Sequence, residues 1–452
     1  MATSFDPTST ATSLATAYTA PAQALLDAQS KAAQAASTGL TQLQSALSTF
    51  KTALAALSSK PGQSVTQYSA TPSDTSYMTA TAASGAQPTS TPLFVEQLAT
   101  TNQVAFQDLP AVPAGPGSMS IQLANGTSFN VDLASADADG DGTLSQTEIA
   151  RAINTAASGN ATAMVVTVGG ATQLMLTSGV SGAGGKLTID TSGLSGPLKT
   201  ALDDTSKRKE LVGAQDAVVW LGAQGTGVRL QQASNTVTAI QGVTITLKKA
   251  QTTGDSPVTL AVARDDSATT TKLQNFIDAY NTLEKTLDGL TQVGKEGAAN
   301  GAFASDAGVR AMRDRIGNLL RADYGGSNLR TLGVSVARDG SLSLDSAKLS
   351  KALAATPDAL DKVMGSTALS NSSGVLGALD KLADGWTNSS SGQIKQRQTT
   401  VQAQQKSITD RQTRLTDQYN QAYQRYLQQF TQLQNLQSQL SGTSSMFDAV
   451  SA

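Results

Sequence analysis

The feature that most constrains this chain lies near its C-terminus. From Ile394 to Leu440 there is neither proline nor glycine, so nothing in that stretch stops a helix once it has begun. Ile408, Leu415, Tyr419, Ala422, Tyr426, Phe430, Leu433 and Leu440 fall on one stripe, with Gln437 keeping the spacing. The flanks are mostly Gln, Thr, Asp and Arg. One narrow face is apolar and the rest is wet, the pattern of a helix that seams with another. A helix from Ile408 to Leu440 spans roughly 50 Å. Two consecutive steps of four, from Ala422 through Tyr426 to Phe430, make a stutter that locally unwinds a supercoil.

The N-terminal end mirrors it. Leu40, Leu43, Leu47, Phe50, Leu54 and Leu57 recur at steps of 3, 4, 3, 4 and 3, which predicts a coiled-coil seam. Upstream, Ala22 to Ala36 is rich in helix formers, with Leu25 and Leu26 as apolar anchors, and Lys60-Pro61-Gly62 stops the pattern.

Between these ends the period changes to two. Val65 to Ala83, Leu93 to Leu98 and Gly117 to Leu133 read as strands, and Met164 to Thr177 as a hairpin around Gly169-Gly170. Val218 to Leu221, Val228 to Gln231, Val243 to Leu247 and Val258 to Val262 form a second strand set. Helical pattern resumes at Leu273, Phe276, Ile277, Tyr280 and Leu283, and again from Val309 to Leu320. A chain that leaves one helical region and returns to it carries its β domains as insertions. The fold class is therefore α+β and multidomain: terminal helices in a coiled-coil leg, a helical domain, and two inserted antiparallel β-rich domains.

Composition removes most chemistry. The 452 residues include no cysteine and no histidine, which excludes disulfides, thiolate metal sites and histidine-dependent triads. The net charge of -2 supplies no basic surface for a nucleic-acid backbone. No run of about 18 apolar residues predicts a membrane span, and Met1 to Ala20 lacks the basic start and apolar stretch of a secretory signal. We expect no catalytic residues. Gly179 to Leu187 only loosely resembles a phosphate loop, because Leu187 stands where Ser or Thr binds Mg²⁺; a glycine-rich hairpin connection is the expectation there.

One local motif stands out. Asp137-Ala138-Asp139-Gly140-Asp141-Gly142-Thr143-Leu144-Ser145-Gln146-Thr147-Glu148 fits the EF-hand calcium loop. Asp137, Asp139 and Asp141 offer carboxylates and Gly142 the sharp turn. Thr143 offers its carbonyl, Ser145 a site for water, and Glu148 a bidentate carboxylate. Phe129 to Leu133 reads as an incoming strand, so the expectation is a strand–loop–helix site for structural Ca²⁺ rather than a paired EF-hand. The plainer alternative is an Asp/Gly turn entering the helix Gln146 to Ala157, whose acidic first turn suits the helix dipole.

The order of short motifs completes the reading. Ser73-Asp74-Thr75-Ser76-Tyr77-Met78 precedes Val95-Glu96-Gln97-Leu98-Ala99; Ile149 to Ala157 and Leu174 to Ser178 follow. Then come Ala214-Gln215-Asp216-Ala217, Ser234-Asn235-Thr236-Val237, Ile240-Gln241-Gly242-Val243-Thr244-Ile245-Thr246-Leu247, Phe276 to Asn281, Leu332-Gly333-Val334, Asp339-Gly340-Ser341-Leu342 and a Gln-rich tail from Tyr426 to Met446. This series resembles the flagellar hook-associated protein 2 family, the filament-capping family, over nearly the whole chain. The Gly-rich opening usual in that family is barely visible in Met1 to Leu14.

The resemblance implies a ring-shaped homo-oligomer at the distal tip of the bacterial flagellar filament, assisting flagellin folding and insertion. It implies extracellular location, export by the flagellar type III route without a cleaved signal, and partners in flagellin, hook–filament junction proteins, the export apparatus and its chaperone. It also implies the organisation: residues 1–45 and 400–452 as the leg, 46–72 and 268–399 as the helical domain, 73–107 and 214–267 as an inner plate, and 108–213 as an outer β-rich domain carrying the EF-hand-like loop. Another axial protein of the hook–filament junction, or a calcium-dependent surface adhesin, are the alternatives.

Overall fold

The structure, a computed structural model, describes residues 6–60, 63–294 and 299–450, with side chains through 444. In chain order its helices are α1 (Pro7–Ser58), α2 (Gln146–Ala157), α3 (Gly196–Asp203), α4 (Asp266–Thr291), α5 (Ala307–Arg321), α6 (Ser346–Ala355), α7 (Ala359–Met364), α8 (Gly374–Thr387) and α9 (Gln393–Val450). The chain divides into two compact units, Met1–Val65 with Thr269–Ala452, and Thr66–Ala268.

In the first unit, α1 begins where Asp6 caps it, its carboxylate accepting from the Thr8 and Ser9 amides at 3.1 Å each, with Pro7 in the first turn. It ends at Ser58; the expected stop at Pro61-Gly62 lies outside the described residues. Leu40, Leu43, Leu47, Phe50, Leu54 and Leu57 are all at most 4% exposed and share one core with Leu273, Phe276, Ile277, Tyr280 and Leu283 of α4, Val309 and Ile316 of α5, and Leu376 and Leu379 of α8. The expected coiled-coil seam is here part of a many-helix core. A heptad stripe fits a coiled coil or one helix among several, and burial in a core that also draws on α6, α7 and the start of α9 selects the second. Phe50 sits 6.5 Å from the ring centroids of both Phe276 and Tyr280, within the range of favourable aromatic pairs.

Polar pins fix this core. The Asn281 side chain brackets Leu342, accepting from its amide at 2.7 Å and donating to its carbonyl at 2.9 Å, which ties the short hairpin of Val334–Val336 and Leu342–Leu344 to α4. Buried Glu284 accepts from Arg313 at 2.6 Å, and Asp288 lies 3.0 Å from the same guanidinium. Burial holds the Tyr280 phenol well above its usual range, and its hydroxyl donates to the Gly340 carbonyl at 3.0 Å.

The second unit holds two β cores. In one, an antiparallel sheet ordered Tyr68–Pro72, Val258–Arg264, Thr89–Gln97, Ala217–Leu221, Val228–Gln232 shares its core with a sheet of Thr236–Val237, Val243–Leu247 and Met78–Ala82. In the other, the sheet Arg208–Val212, Thr101–Gln107, Ala171–Ser181, Ala161–Val168 packs with α2, α3 and the sheet Leu187–Asp190, Ser118–Leu123, Ser128–Asp132. Gly169 and Gly170, at φ 60° and 86°, close the hairpin joining Ala161–Val168 to Ala171–Ser181, the backbone a tight turn requires.

Three boundaries differ from expectation. Tyr68–Pro72 pairs with Val258–Arg264 and belongs to the β unit, not to a helical domain reaching residue 72. Thr101–Gln107 contributes Val104 and Phe106 to the outer core, so the inner plate ends before it rather than at 107. The glycine-rich stretch from Gly179 leads from Ala171–Ser181 into Leu187–Asp190 of a different sheet, so it is a crossover and not a hairpin.

The crossover between the two cores explains two of the short motifs. Asn235 of the Ser-Asn-Thr-Val motif brackets Ala99 of the Val-Glu-Gln-Leu-Ala motif, accepting from its amide at 2.7 Å and donating to its carbonyl at 2.9 Å. Asn102, wholly buried, donates to the Glu210 carboxylate and the Val212 carbonyl and accepts from the Leu187 amide. Both amides satisfy backbone groups where strands leave one sheet for another, which is where ladder bonds run out.

Candidate functional site: a helical leg and an aspartate loop

The leg is made by α1 and α9 running past each other beyond the helical core. Leu26 and Ala33 of α1 cluster with Ile408 and Leu415 of α9. Farther out the seam is lined by small residues, Ala11, Ala15 and Thr19 on α1 and Ala422 on α9, all buried. Gln23 and Gln412 exchange side-chain hydrogen bonds at 2.7 and 3.2 Å, and Gln44 meets Gln398 at 2.9 Å. Small residues let the backbones approach, but each removes little apolar area from water. This is a thin seam closed by amides, in contrast to the leucine-rich core at its base.

The expected stripe on α9 divides along its length. Ile408, Leu415 and Ala422 are buried; Tyr419, Tyr426 and Phe430 are half-buried, with Tyr419 stacked on Tyr423 at 6.4 Å. Leu433 and Leu440 are 50% and 63% exposed, so they do not take part in a seam with α1. Of the two upstream anchors, Leu26 is buried and Leu25 is 60% exposed. The outer α1 side of the seam is written in small residues; its signal is their recurrence at 11, 15 and 19, on the face that Leu26 and Ala33 continue. Base and leg are joined by charge as well. Arg397 of α9 pairs with Asp306, the N-cap of α5, and lies 5.3 Å from the Trp386 ring, while Lys51 of α1 reaches Asp384 of α8 at 2.5 Å.

The loop 137–148 lies in the outer β region, between the strand Ser128–Asp132 and α2. Asp137 accepts from the Gly140 and Gly142 amides at 2.8 and 3.0 Å. Asp139 accepts from the Asp141 amide at 3.2 Å, and Asp141 from the Thr143 amide and hydroxyl at 2.7 Å each. Gly140 and Gly142 take φ 72° and 79°, which favours glycine at those positions. Carboxylate oxygens of Asp137, Asp139 and Asp141 lie within 4.8 Å of one another.

Glu148 closes the loop. One carboxylate oxygen accepts from the Ala138 amide at 2.8 Å, the other from the Ser145 amide and hydroxyl at 2.9 Å each, completing a capping box on α2. Those hydrogen bonds, from Ser145 and then Ala138, draw its pKa down to about 2. Leu144 is fully buried, and Thr143–Leu144 pairs with Val112–Pro113, fastening the loop to a neighbouring strand. The three aspartates fit a hard dication, which takes oxygen donors. Ser145 and Glu148 are already occupied as the cap of α2, so in this conformation they hold the helix rather than point oxygens at the aspartates.

Comparison with known proteins turns this architecture into a family. Models of the flagellar hook-associated protein 2 N-terminus and C-terminus match residues 3–102 and 214–442. The chain belongs to the flagellar hook-associated protein 2 family. It is 34% identical over 379 residues to the lateral flagellar hook-associated protein 2 of Vibrio parahaemolyticus, covering 82% of this chain and 83% of that one. Against the B-type flagellar hook-associated protein 2 of Pseudomonas aeruginosa it is 30% identical over 388 residues, covering 81% and 78%. The D1–D2–D3 domains of the flagellar cap protein from Escherichia coli superpose with a TM-score of 0.63 over 80% of this chain and 99% of that structure, at 23% identity, and share its fold. The loop 137–148 lies between the two matched ranges. Among the described residues, no helix is long and apolar enough to cross a membrane.

Proposed function

We propose that this chain is the structural cap of the bacterial flagellar filament: an exported, ring-forming scaffold at the distal tip that assists flagellin folding and insertion without chemistry of its own. The observation that carries this reading is the match of both the N- and C-terminal family regions to a chain whose two terminal helices pair as a leg and whose middle forms separate β cores. In this reading the leg reaches toward the filament and the β unit supplies the plate. Flagellin, hook–filament junction proteins, and the export apparatus with its chaperone are the partners. The thin, amide-closed seam of α1 and α9 suits a leg that must shift as each subunit is added, since small side chains and glutamines lock in less tightly than leucine knobs. Gold labelling of an epitope-tagged chain tests the placement by electron microscopy. A single cluster at the distal tip of each filament is expected; label at the hook–filament junction would assign the chain to that junction instead, and label over the cell surface would favour an adhesin.

We infer as well that Asp137, Asp139 and Asp141 hold a structural divalent cation of the calcium type. What supports this is the convergence of three carboxylates on a glycine-turned loop with EF-hand spacing. A bound cation would offset their mutual repulsion and stiffen the approach to α2. Calcium at about 100 times its Kd is expected to stabilise the outer β region by about 2.7 kcal/mol. That gain would appear as a rise in melting temperature that chelator reverses and that Asp137→Asn with Asp139→Asn abolishes. Titration without heat, together with a melting point indifferent to chelator, would leave the loop a simple turn.

A further inference from the structure

The C-terminal part of α9 carries an apolar stripe with a composition unlike the rest of that helix. Leu433, Leu436 and Leu440 are 50%, 54% and 63% exposed, and every residue from Thr431 to Ser444 is exposed. Leu433 and Leu440, 11 and 18 residues beyond Ala422 and so close to whole helical turns from it, fall on the face that Ile408, Leu415 and Ala422 bury against α1, so this face extends an interface already present in the molecule. A helix that keeps its apolar stripe past the end of its buried seam has a second contact to make.

Charge indicates what that contact is. From Lys395 to Arg425 acidic and basic residues recur along α9, yet from Tyr426 to Phe447 there are none. In a parallel pair of identical helices each core seam position lies beside its own copy, so a charge there meets a like charge. A long uncharged stretch removes that penalty. Rotational symmetry supplies the orientation: in a cyclic oligomer equivalent helices run in the same sense along the axis. Leu433 and Leu440 then occupy equivalent heptad positions, Leu436 widens the stripe on one side, and Gln437 falls between them as the kind of polar seam residue that fixes register.

We propose that the 431–444 segments of neighbouring copies pack on one another in parallel through Leu433, Leu436 and Leu440, tying leg tips together within one ring. This rests on the reading of the chain as a ring-forming cap. It is tested on purified protein, so its failure leaves the tip-labelling result untouched, and a failed tip label leaves this result untouched.

The absence of native cysteine makes the test clean. Full-length Leu433→Cys and Leu440→Cys, each alone under mild oxidation, are expected to give a disulfide-linked dimer as the main species, while Gln439→Cys, off the stripe, stays monomeric on the same gel. Parallel pairing brings a residue to within disulfide reach of its own copy at every seam position. Antiparallel pairing instead links Leu433→Cys to Leu440→Cys only in a mixture of the two. Linking in the mixture alone, linking that requires added flagellin, or yields no higher than for Gln439→Cys would each overturn the proposal. Leu433→Asp with Leu440→Asp is expected to lower the sedimenting mass while leaving helicity unchanged; an unchanged mass would also overturn it.

Discussion

Replacing Leu47 by aspartate will collapse the helical core while leaving the β unit folded. Leu47 is 1% exposed in the core shared by α1, α4, α5 and α8. Removing its side chain forfeits about 1.5–3 kcal/mol of burial, and the carboxylate that replaces it finds neither a cation nor water, which costs several kcal/mol more. The sum is comparable to the whole stability of an ordinary domain, about 5–15 kcal/mol. The cores of Thr66–Ala268 draw on none of these residues. Calorimetry is expected to show loss of the transition belonging to the helical unit, and limited proteolysis a surviving fragment close to residues 66–268. Retention of both transitions at their original temperatures would refute the assignment of Leu47 to that core. Leu433→Asp is the contrasting case: at 50% exposure, it changes no buried contact and leaves the melting profile as it was.

That contrast marks where the sequence was legible and where it was not. The α9 pattern located a long helix, and the step-two stretches located the strands, because periodicity reports which face is buried. Periodicity does not report what covers that face. Leu40 to Leu57 read as one side of a coiled coil, yet they share a core with α4 to α8 and the start of α9, brought there by chain that returns more than two hundred residues later. Leu433 and Leu440 fit the same stripe as Ile408 and Leu415, yet only the latter pair meets α1 within the chain. The seam written in Ala11, Ala15 and Ala33 was invisible to a search for large apolar residues.

Pro21 lies inside α1 without ending it, although proline in a helix interior costs about 3 kcal/mol. Buried neighbours on either side, Thr19 and Leu26, hold the helix against α9 through that defect. The boundaries at residues 72 and 107 slipped because hydrophobic alternation looks the same in two adjacent sheets; only pairing decides which one a strand joins. In the loop 137–148, spacing and turn glycines were readable. The capping box was not singled out, although Ser145 and Glu148 are spaced for it, and it draws the Glu148 carboxylate toward backbone amides.

The second large effect concerns the living cell. If the chain caps the growing filament, then without it flagellin has no site beneath which to fold and join, and it leaves the channel into the medium. The helical core, the leg and the β unit all serve that one role, so a strain carrying Leu47→Asp should approach the phenotype of a strain lacking the chain altogether. Deleting the coding sequence, then imaging cells by electron microscopy while assaying flagellin in the culture fluid, tests this most directly. The cap reading predicts hooks without filaments and abundant monomeric flagellin in the medium; filaments of normal length on the deletion strain would contradict it.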